Sequence, residues 1–173
     1  MKKSVFVFGG ARSGKSTYAV ERAREAGQKV VFLATCTFSD AEMDERIRRH
    51  QSSRPAGWQL VNEGVNIAAE LLKIQGADTT VLIDCLGMWV FNLMELHADD
   101  APLEALFADF VGRLAEVKGL VIIVSNEAGC GLVPVHASGR RFRDLVGRLN
   151  QLVARAADEV VLMQVGIPTK LKG

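Results

Sequence analysis

Eight residues near the start of the chain have the types and spacing that bind a polyphosphate. They read GGARSGKS and match the pattern G-x-x-x-x-G-K-[ST]. They are Gly9, Gly10, Ala11, Arg12, Ser13, Gly14, Lys15 and Ser16. Glycines let backbone N–H groups face phosphate oxygens, Lys15 supplies a cation for the β- and γ-phosphates, and the Ser16 hydroxyl can bind Mg²⁺. A buried-type strand is predicted before the loop and a helix after it, so the stretch predicts a nucleoside triphosphate site.

A second ligand for Mg²⁺ is expected at the end of a hydrophobic strand. Asp84 ends the apolar run TVLID and takes that position. With Gly87 it also spells D-x-x-G, which switch GTPases use to sense the γ-phosphate. The guanine-reading motif N-K-x-D does not follow, because Asn126 and Glu127 after the next strand do not fill that role. A GTPase-type binding module therefore stays an alternative to an enzyme.

A histidine on a basic helix is the candidate nucleophile. A capping box predicts a helix over residues 39–51, on which Met43, Ile47 and His50 share one face. Four arginines surround that histidine: Arg46, Arg48, Arg49 and Arg54. His50 can be a helix-end residue on a solvated basic face, stabilised by the helix dipole. It can also attack the α-phosphate of a nucleotide, expel pyrophosphate and hold the nucleotidyl group covalently. Spacing alone leaves both interpretations open.

The other two histidines are weaker candidates. His97 lies in the acidic stretch HADDAP, which is a poor place for a polyanion. His136 lies in a long connection over residues 126–139, which follows a buried strand. Connections of that length in small domains are usually functional, and open α/β sheets bind ligands where their strands end.

Strands and helices alternate along the chain and predict an α/β fold with a mostly parallel sheet and helices on both faces. The predicted strands span residues 4–8, 29–34, 58–61, 80–84, 120–125 and 159–165. The predicted helices span residues 15–26, 39–51, 65–74, 87–96, 103–117 and 140–157.

Composition limits the class of protein. The 173 residues, 49% of them hydrophobic, suit a single domain over residues 1–173. A net charge of +1 does not give the excess of basic residues that is typical of nucleic-acid-binding proteins. No apolar run is long enough for stable membrane insertion. Cys36, Cys85 and Cys130 are too few and too scattered for a disulfide framework, so we expect reduced thiols and a cytoplasmic protein.

Taken together, several stretches resemble a known family. They are GGARSGKS, LAT, DAEMDERIRRHQSSRP, LIDCL, SNEAGCGLVP, GRRFRDLVGRLNQ and ADEVVLMQVGIPTKLK. In this order they resemble the bifunctional adenosylcobinamide kinase / adenosylcobinamide-phosphate guanylyltransferase of cobalamin biosynthesis, over nearly the whole chain. The resemblance implies a single-domain P-loop NTPase with a RecA-like sheet. It also implies two reactions: phosphorylation of adenosylcobinamide by ATP or GTP, then transfer of GMP from GTP to the resulting phosphate with release of pyrophosphate.

The resemblance also implies site residues, Mg²⁺ and a homo-oligomer, with a trimer known in the family. The guanylylated histidine falls on His50. Nucleotide contacts fall on the phosphate loop and on Ala34, Thr35, Cys36, Gln51, Ser52, Ser53, Arg54, Glu63 and Asp84. Family members often carry Thr where this chain has Gly87. A small-molecule kinase of the P-loop class, with His50 on the surface and no covalent intermediate, is the remaining alternative.

Overall fold

Seven strands and five helices make up the part of the chain that the structure describes, a computed structural model covering residues 4–27, 29–37, 55, 57–74 and 76–173. The strands are β1 Ser4–Gly9, β2 Lys29–Ala34, β3 Gln59–Asn62, β4 Thr79–Asp84, β5 Leu120–Asn126, β6 Glu159–Gln164 and β7 Ile167–Lys172. The helices are α1 Lys15–Glu25, α2 Ile67–Lys73, α3 Leu86–Leu96, α4 Asp100–Leu114 and α5 Ala137–Ala156. None of these helices is both long and apolar enough to cross a bilayer.

The strands form one sheet in the order β3-β2-β4-β5-β1-β6-β7. The first six run parallel, and β7 pairs antiparallel with β6. β5 therefore separates β1, which leads into the phosphate loop, from β4, which ends at Asp84. Because parallel strands end at the same edge of a sheet, Gly9, Asp84 and Asn126 lie along one edge. Open α/β sheets bind ligands at that edge.

Apolar residues are buried on both faces of the sheet. On one face, α1 contributes Ala19 and Ala23 to a buried cluster. On the other face, the larger cluster draws on α2 to α5, and Trp89 packs against Phe107 and Phe110 with ring centroids 5.5 and 5.2 Å apart. Burial on both faces explains the near-continuous apolar runs of β4 and β5. The predicted parallel sheet with helices on both faces is confirmed.

Most predicted boundaries lie within about three residues of the observed ones, and two differences have clear causes. α4 begins at Asp100, before its predicted start, because Pro102 falls in the first turn, where a missing N–H breaks no helical hydrogen bond. β7 is absent from the prediction, since Pro168 disfavours a strand and Val165-Gly166 is an unusual hairpin turn. The predicted helix over residues 39–51 lies outside the described residues.

Candidate functional site

The phosphate loop follows directly from the end of β1. Gly14 is the residue before α1 and has φ 94°, a left-handed conformation that glycine adopts without a steric penalty. The helix then begins at Lys15, whose Nζ donates to the carbonyl of Gly10 at 3.0 Å. Arg12 also has a positive φ of 55°, and its side chain is exposed at the loop. The loop and the first turn of α1 can thus present backbone N–H groups and the Lys15 ammonium to a polyphosphate.

Two neighbours hold this loop in place. On one side, the Glu127 N–H donates to the carbonyl of Gly9 at 2.8 Å, which joins the loop to the end of β5. On the other side, the Gly166 N–H in the β6–β7 turn donates to the carbonyl of Ser13 at 3.0 Å. The Ser13 hydroxyl is buried and has no partner among the described residues. The loop is therefore fixed from both sides through its backbone.

Asp84 is positioned by a contact between the ends of β4 and β2. Thr35 is completely buried, and its Oγ1 donates to the Cys85 carbonyl at 2.7 Å and accepts the Cys85 N–H at 2.9 Å. The Thr35 N–H also donates to the carbonyl of Asp84 at 3.3 Å. Asn92 on α3 completes the contact, since its Nδ2 donates to the carbonyls of Thr35 and Gly64 at 2.7 and 2.9 Å. Thr35 thus fixes the backbone at Asp84.

Glu63 follows β3, the edge strand of the sheet, which is four strands away from the strand that leads into the phosphate loop. Its N–H donates to the carbonyl of Ala34 at 3.0 Å, which continues the β2–β3 pairing. Its Oε1 accepts the N–H groups of Val65 and Asn66 at 2.7 and 2.8 Å, just before α2. Ala34, Thr35 and Glu63 therefore lie together near the ends of β2 and β3, and Cys36 follows them in partly buried surroundings.

Five predicted site residues cannot be placed beside these. They are His50, Gln51, Ser52, Ser53 and Arg54, and all of them lie outside the described residues. The structure therefore brings together the phosphate loop and Asp84 at the carboxyl edge of the sheet, and groups Ala34, Thr35, Cys36 and Glu63 further along that edge.

Asn126 lies between the phosphate loop and Asp84, and the sequence singled it out only as the start of the connection over residues 126–139. It ends β5 in register with Gly9, between the phosphate loop and Asp84. The Cys85 thiol donates to its Oδ1 at 3.3 Å, and Asn150 Nδ2 donates to its carbonyl at 2.9 Å. Burial raises the pKa of Cys85 to about 12, so this thiol is a neutral donor. The sequence feature that indicates its position is a polar residue at the end of a buried strand, and that strand pairs with β1, which leads into the phosphate loop.

Gly87 packs closely against the side chain of that asparagine. A Cβ at position 87 would lie 2.5 Å from Asn126 Oδ1, closer than real Cβ atoms approach other atoms. A side chain at position 87 would therefore require the Asn126 side chain to shift from its observed position. The D-x-x-G match at Asp84 to Gly87 thus has a packing explanation.

The connection between β5 and α5 carries the other predicted candidates. Glu127 Oε1 accepts the N–H groups of Gly129 and Cys130 at 2.6 and 3.0 Å, and this carboxylate raises the pKa of the exposed Cys130 thiol. Arg140 Nη1 donates to the carbonyl of Pro134 at 3.0 Å, which ties the connection to α5. His136 precedes α5 and is exposed. His97 contributes its carbonyl to Arg141 Nη2 at 3.0 Å.

The oxygen donors at the site suit Mg²⁺. No group of three or more His, Cys, Asp or Glu side chains that could hold a metal ion occurs in the part of the chain that the structure describes. The Ser16 hydroxyl and the Asp84 carboxylate are hard oxygen donors, and Mg²⁺ usually takes one or two such protein ligands and completes its shell with phosphates and water. The donor set therefore fits a cation that arrives with the nucleotide.

Comparison with known proteins identifies relatives that match nearly the whole chain. A family model described as cobinamide kinase / cobinamide phosphate guanyltransferase matches residues 5–171. The chain is 39% identical over 167 residues to the bifunctional adenosylcobalamin biosynthesis protein CobP of Pseudomonas aeruginosa, covering 96% of each protein. It is 34% identical over 180 residues to CobU of Salmonella typhimurium, covering 97% of this chain and 99% of that protein.

Solved structures with low sequence identity share the fold. The flagellar accessory protein FlaH of Methanocaldococcus jannaschii aligns with a TM-score of 0.52 and 13% identity, over 98% of this chain and 78% of that one. The RadB recombinase aligns with a TM-score of 0.51 and 14% identity, over 92% of this chain and 73% of that one. These similarities support the RecA-like P-loop fold and carry no information about the reaction.

Proposed function

The chain belongs to the cobinamide kinase / cobinamide phosphate guanyltransferase family, and we propose that it carries out both reactions from one phosphate loop, with His50 as the guanylyl carrier. It is a bifunctional transferase of cobalamin biosynthesis. The observation that carries this conclusion is the family match over residues 5–171, joined to a phosphate loop whose geometry suits a triphosphate.

In the kinase reaction, the hydroxyl of cobinamide attacks the γ-phosphorus of a nucleoside triphosphate and the bond to the β-phosphate oxygen breaks. Backbone N–H groups of residues 9–16 hold the phosphates, and Lys15 offsets charge that develops on the β- and γ-oxygens. Mg²⁺, when bound, would neutralise phosphate charge, with Ser16 and Asp84 as its protein ligands. The protein contributes position and electrostatics, since phosphoryl transfer requires little covalent chemistry from side chains.

In the guanylyl reaction, a ring nitrogen of His50 attacks the α-phosphorus of GTP and pyrophosphate leaves. An oxygen of cobinamide phosphate then attacks the same phosphorus, the P–N bond breaks, and the product is the GDP derivative of cobinamide. Two steps with a covalent intermediate replace one difficult transfer. We assign nucleotide contacts to Ala34, Thr35, Cys36 and Glu63 by the family resemblance, together with residues 51–54.

The covalent step is tested with GTP that carries radioactive phosphorus at either the α or the γ position. We expect acid-labile, base-stable protein label from α-labelled GTP alone. His50→Ala should abolish it, whereas His136→Ala, a matched change at an exposed histidine, should leave it unchanged. Label that persists in His50→Ala would remove His50 from the mechanism. Phosphorylation of cobinamide with no protein label under any condition would favour the small-molecule kinase without a covalent intermediate.

Three finer features are part of the same proposal. The guanylyl donor is GTP. The active form of the protein is a homo-oligomer, and we expect a trimer. The protein is located in the cytoplasm. The free thiols Cys36, Cys85 and Cys130 fit a reducing compartment. Sedimentation equilibrium of the purified protein measures the subunit number, and a monomeric mass at working concentration would contradict the oligomer.

A further inference from the structure

The turn between β6 and β7 breaks a local rule. Val165 has φ 47° and Gly166 has φ 82°, so both central residues of this two-residue hairpin turn have positive φ. Such turns favour Asn-Gly or Asp-Gly, because a positive φ is strained for a β-branched residue. Val165 is also 89% exposed, so burial in this chain does not offset the strain. An exposed apolar residue in a strained conformation calls for a functional reason.

The turn lies directly against the phosphate loop. The Gly166 N–H donates to the Ser13 carbonyl at 3.0 Å, and a Cβ on Gly14 would lie 3.3 Å from the Gly166 Cα. Backbone N–H groups of such a loop hold the α- and β-phosphates, and the nucleoside is attached to the α-phosphate. Val165 therefore adjoins the loop on the side of β6 and β7, where its side chain could contact a nucleoside that extends in that direction.

The residues assigned to the guanylyl group lie on the opposite side of the loop. In the sheet order, β2 is three strands from β1 and β3 is four strands from it. With a strand spacing of about 4.8 Å, Thr35 at the end of β2 is roughly 14 Å from the loop strand and Glu63 after β3 is roughly 19 Å away. One base cannot contact both Glu63 and the β6–β7 turn, because the loop that holds its phosphates lies between them.

We propose that the Val165–Gly166 turn is a second purine subsite, which holds the base of the nucleotide that donates its γ-phosphoryl group. The guanine that is transferred to His50 uses the Thr35–Glu63 side instead. The isopropyl group of Val165 gives one apolar contact face to the purine, and the turn offers no side-chain hydrogen-bonding group that would select one base. This inference rests on the proposed two reactions, and it assigns each of them a different base position on a shared phosphate loop.

Substitutions at Val165 separate this role from a purely structural one. Val165→Asn and Val165→Gly relieve the strain at φ 47°, so we expect the melting temperature of Val165→Asn to rise. Both should raise the KM for ATP in cobinamide phosphorylation by about fivefold, because an apolar contact is lost. Val165→Ile keeps that contact and should retain the wild-type KM. The KM for GTP in His50 labelling should change by less than about twofold in all three variants.

Two controls define the result. Leu171→Thr makes an apolar-to-polar change at a residue of β7 that is 57% exposed and distant from the turn, and it should alter neither KM. Binding of inorganic tripolyphosphate, which has no base, should be equal in wild type and Val165→Asn, while binding of ATP should weaken. An unchanged KM and affinity for ATP in Val165→Asn would overturn the subsite.

Other outcomes also decide the question. Equal weakening of ATP and tripolyphosphate would show that Val165 acts only through the shape of the phosphate loop. A lower subunit number in Val165→Asn, with both reactions impaired, would show that the turn is an interface between copies of this chain. Failure of the wild type to modify cobinamide would contradict the proposed function, while the comparison of ATP with tripolyphosphate would still test the subsite.

Discussion

Replacement of Thr35 by Val tests the contact that joins the end of β2 to the end of β4. Thr35 is completely buried, and its Oγ1 bonds both the carbonyl and the N–H of Cys85, at 2.7 and 2.9 Å. Val has nearly the same shape without the oxygen, so both polar groups of Cys85 lose this partner. The Cys85 carbonyl still accepts the Trp89 N–H at 3.2 Å, whereas the Cys85 N–H loses its hydrogen-bond partner. One lost hydrogen bond costs about 1 kcal/mol and a buried group left without one costs about 1–3 kcal/mol, so we expect the free energy of unfolding to fall by about 3 kcal/mol.

Thr35→Ser is the matched control. Serine keeps the oxygen and both hydrogen bonds and loses one methyl group, which costs about 1 kcal/mol. Hydrophobic transfer alone would make the Val variant the more stable of the two. The hydrogen bonds instead make the Ser variant more stable by about 2 kcal/mol. The two accounts therefore predict opposite orders, which a single pair of measurements can distinguish.

Equilibrium unfolding in urea measures this difference. For a chain of this length, a loss of about 3 kcal/mol also lowers the melting temperature by roughly 6–12 °C. Because the same contact holds the backbone at Asp84, Thr35→Val should need more Mg²⁺ for half-maximal kinase activity than Thr35→Ser. A Val variant as stable as the Ser variant would refute the reasoning, since the hydrogen bonds would then contribute nothing beyond packing.

Three further substitutions test neighbouring contacts. Gly87→Ala places a Cβ 2.5 Å from Asn126 Oδ1, so urea unfolding should show a loss of about 1–3 kcal/mol, whereas Gly112→Ala, with nothing within 4 Å, should lose none. The Cys85 thiol has a pKa of about 12 in the folded protein and 9.0 in the unfolded chain. Between pH 9 and pH 12 the unfolded chain therefore loses this proton first, and the free energy of unfolding should fall by up to about 1.4 kcal/mol per pH unit. The fall should be smaller in Cys85→Ala. Trp89→Phe removes a 2.8 Å hydrogen bond and packing, and should lower the melting temperature by several degrees, about 4–8 °C.

Each of these results has an outcome that would contradict its reason. Equal stability of Gly87→Ala and Gly112→Ala would show that Asn126 moves aside at no cost. An alkaline stability profile unchanged by Cys85→Ala would show that the thiol is not responsible for the pH dependence. A Trp89→Phe protein that melts with the wild type would show that the indole contributes no more than a phenyl ring.

Much of the fold could be predicted from the sequence because local and long-range requirements agree. The strand at Lys29–Ala34 is apolar on both faces, as a strand buried between helices must be, and its observed boundaries match the prediction. The predicted start of α4 at residue 103 is three residues late, since the helix begins at Asp100 and holds Pro102 in its first turn, where a proline is tolerated. That position becomes clear only when the preceding Asp99 and Asp100 are seen to lead into the helix.

The candidate site could be predicted only in part, for a different reason. The phosphate loop is a local feature, since residues 9–16 form one turn between a strand and a helix. The roles of Thr35 and Asn126 depend on partners 50 and 41 residues away, at Cys85 in both cases. No local spacing encodes these contacts, and they appear only when the order of the strands is known.

The hairpin turn at Val165 and Gly166 bears both on the strand that the sequence did not predict and on the candidate site. β7 escaped prediction because Val165 does not belong to the residues that favour such turns, and the same exception points to a role beside the phosphate loop. If the turn served the hairpin alone, Asn at position 165 would form it with less strain and at no loss to the enzyme. A Val165→Asn variant that gains stability and loses affinity for ATP would therefore explain both the missed strand and the presence of valine. A variant that gains stability at no cost to ATP binding would leave valine at that position without a functional reason.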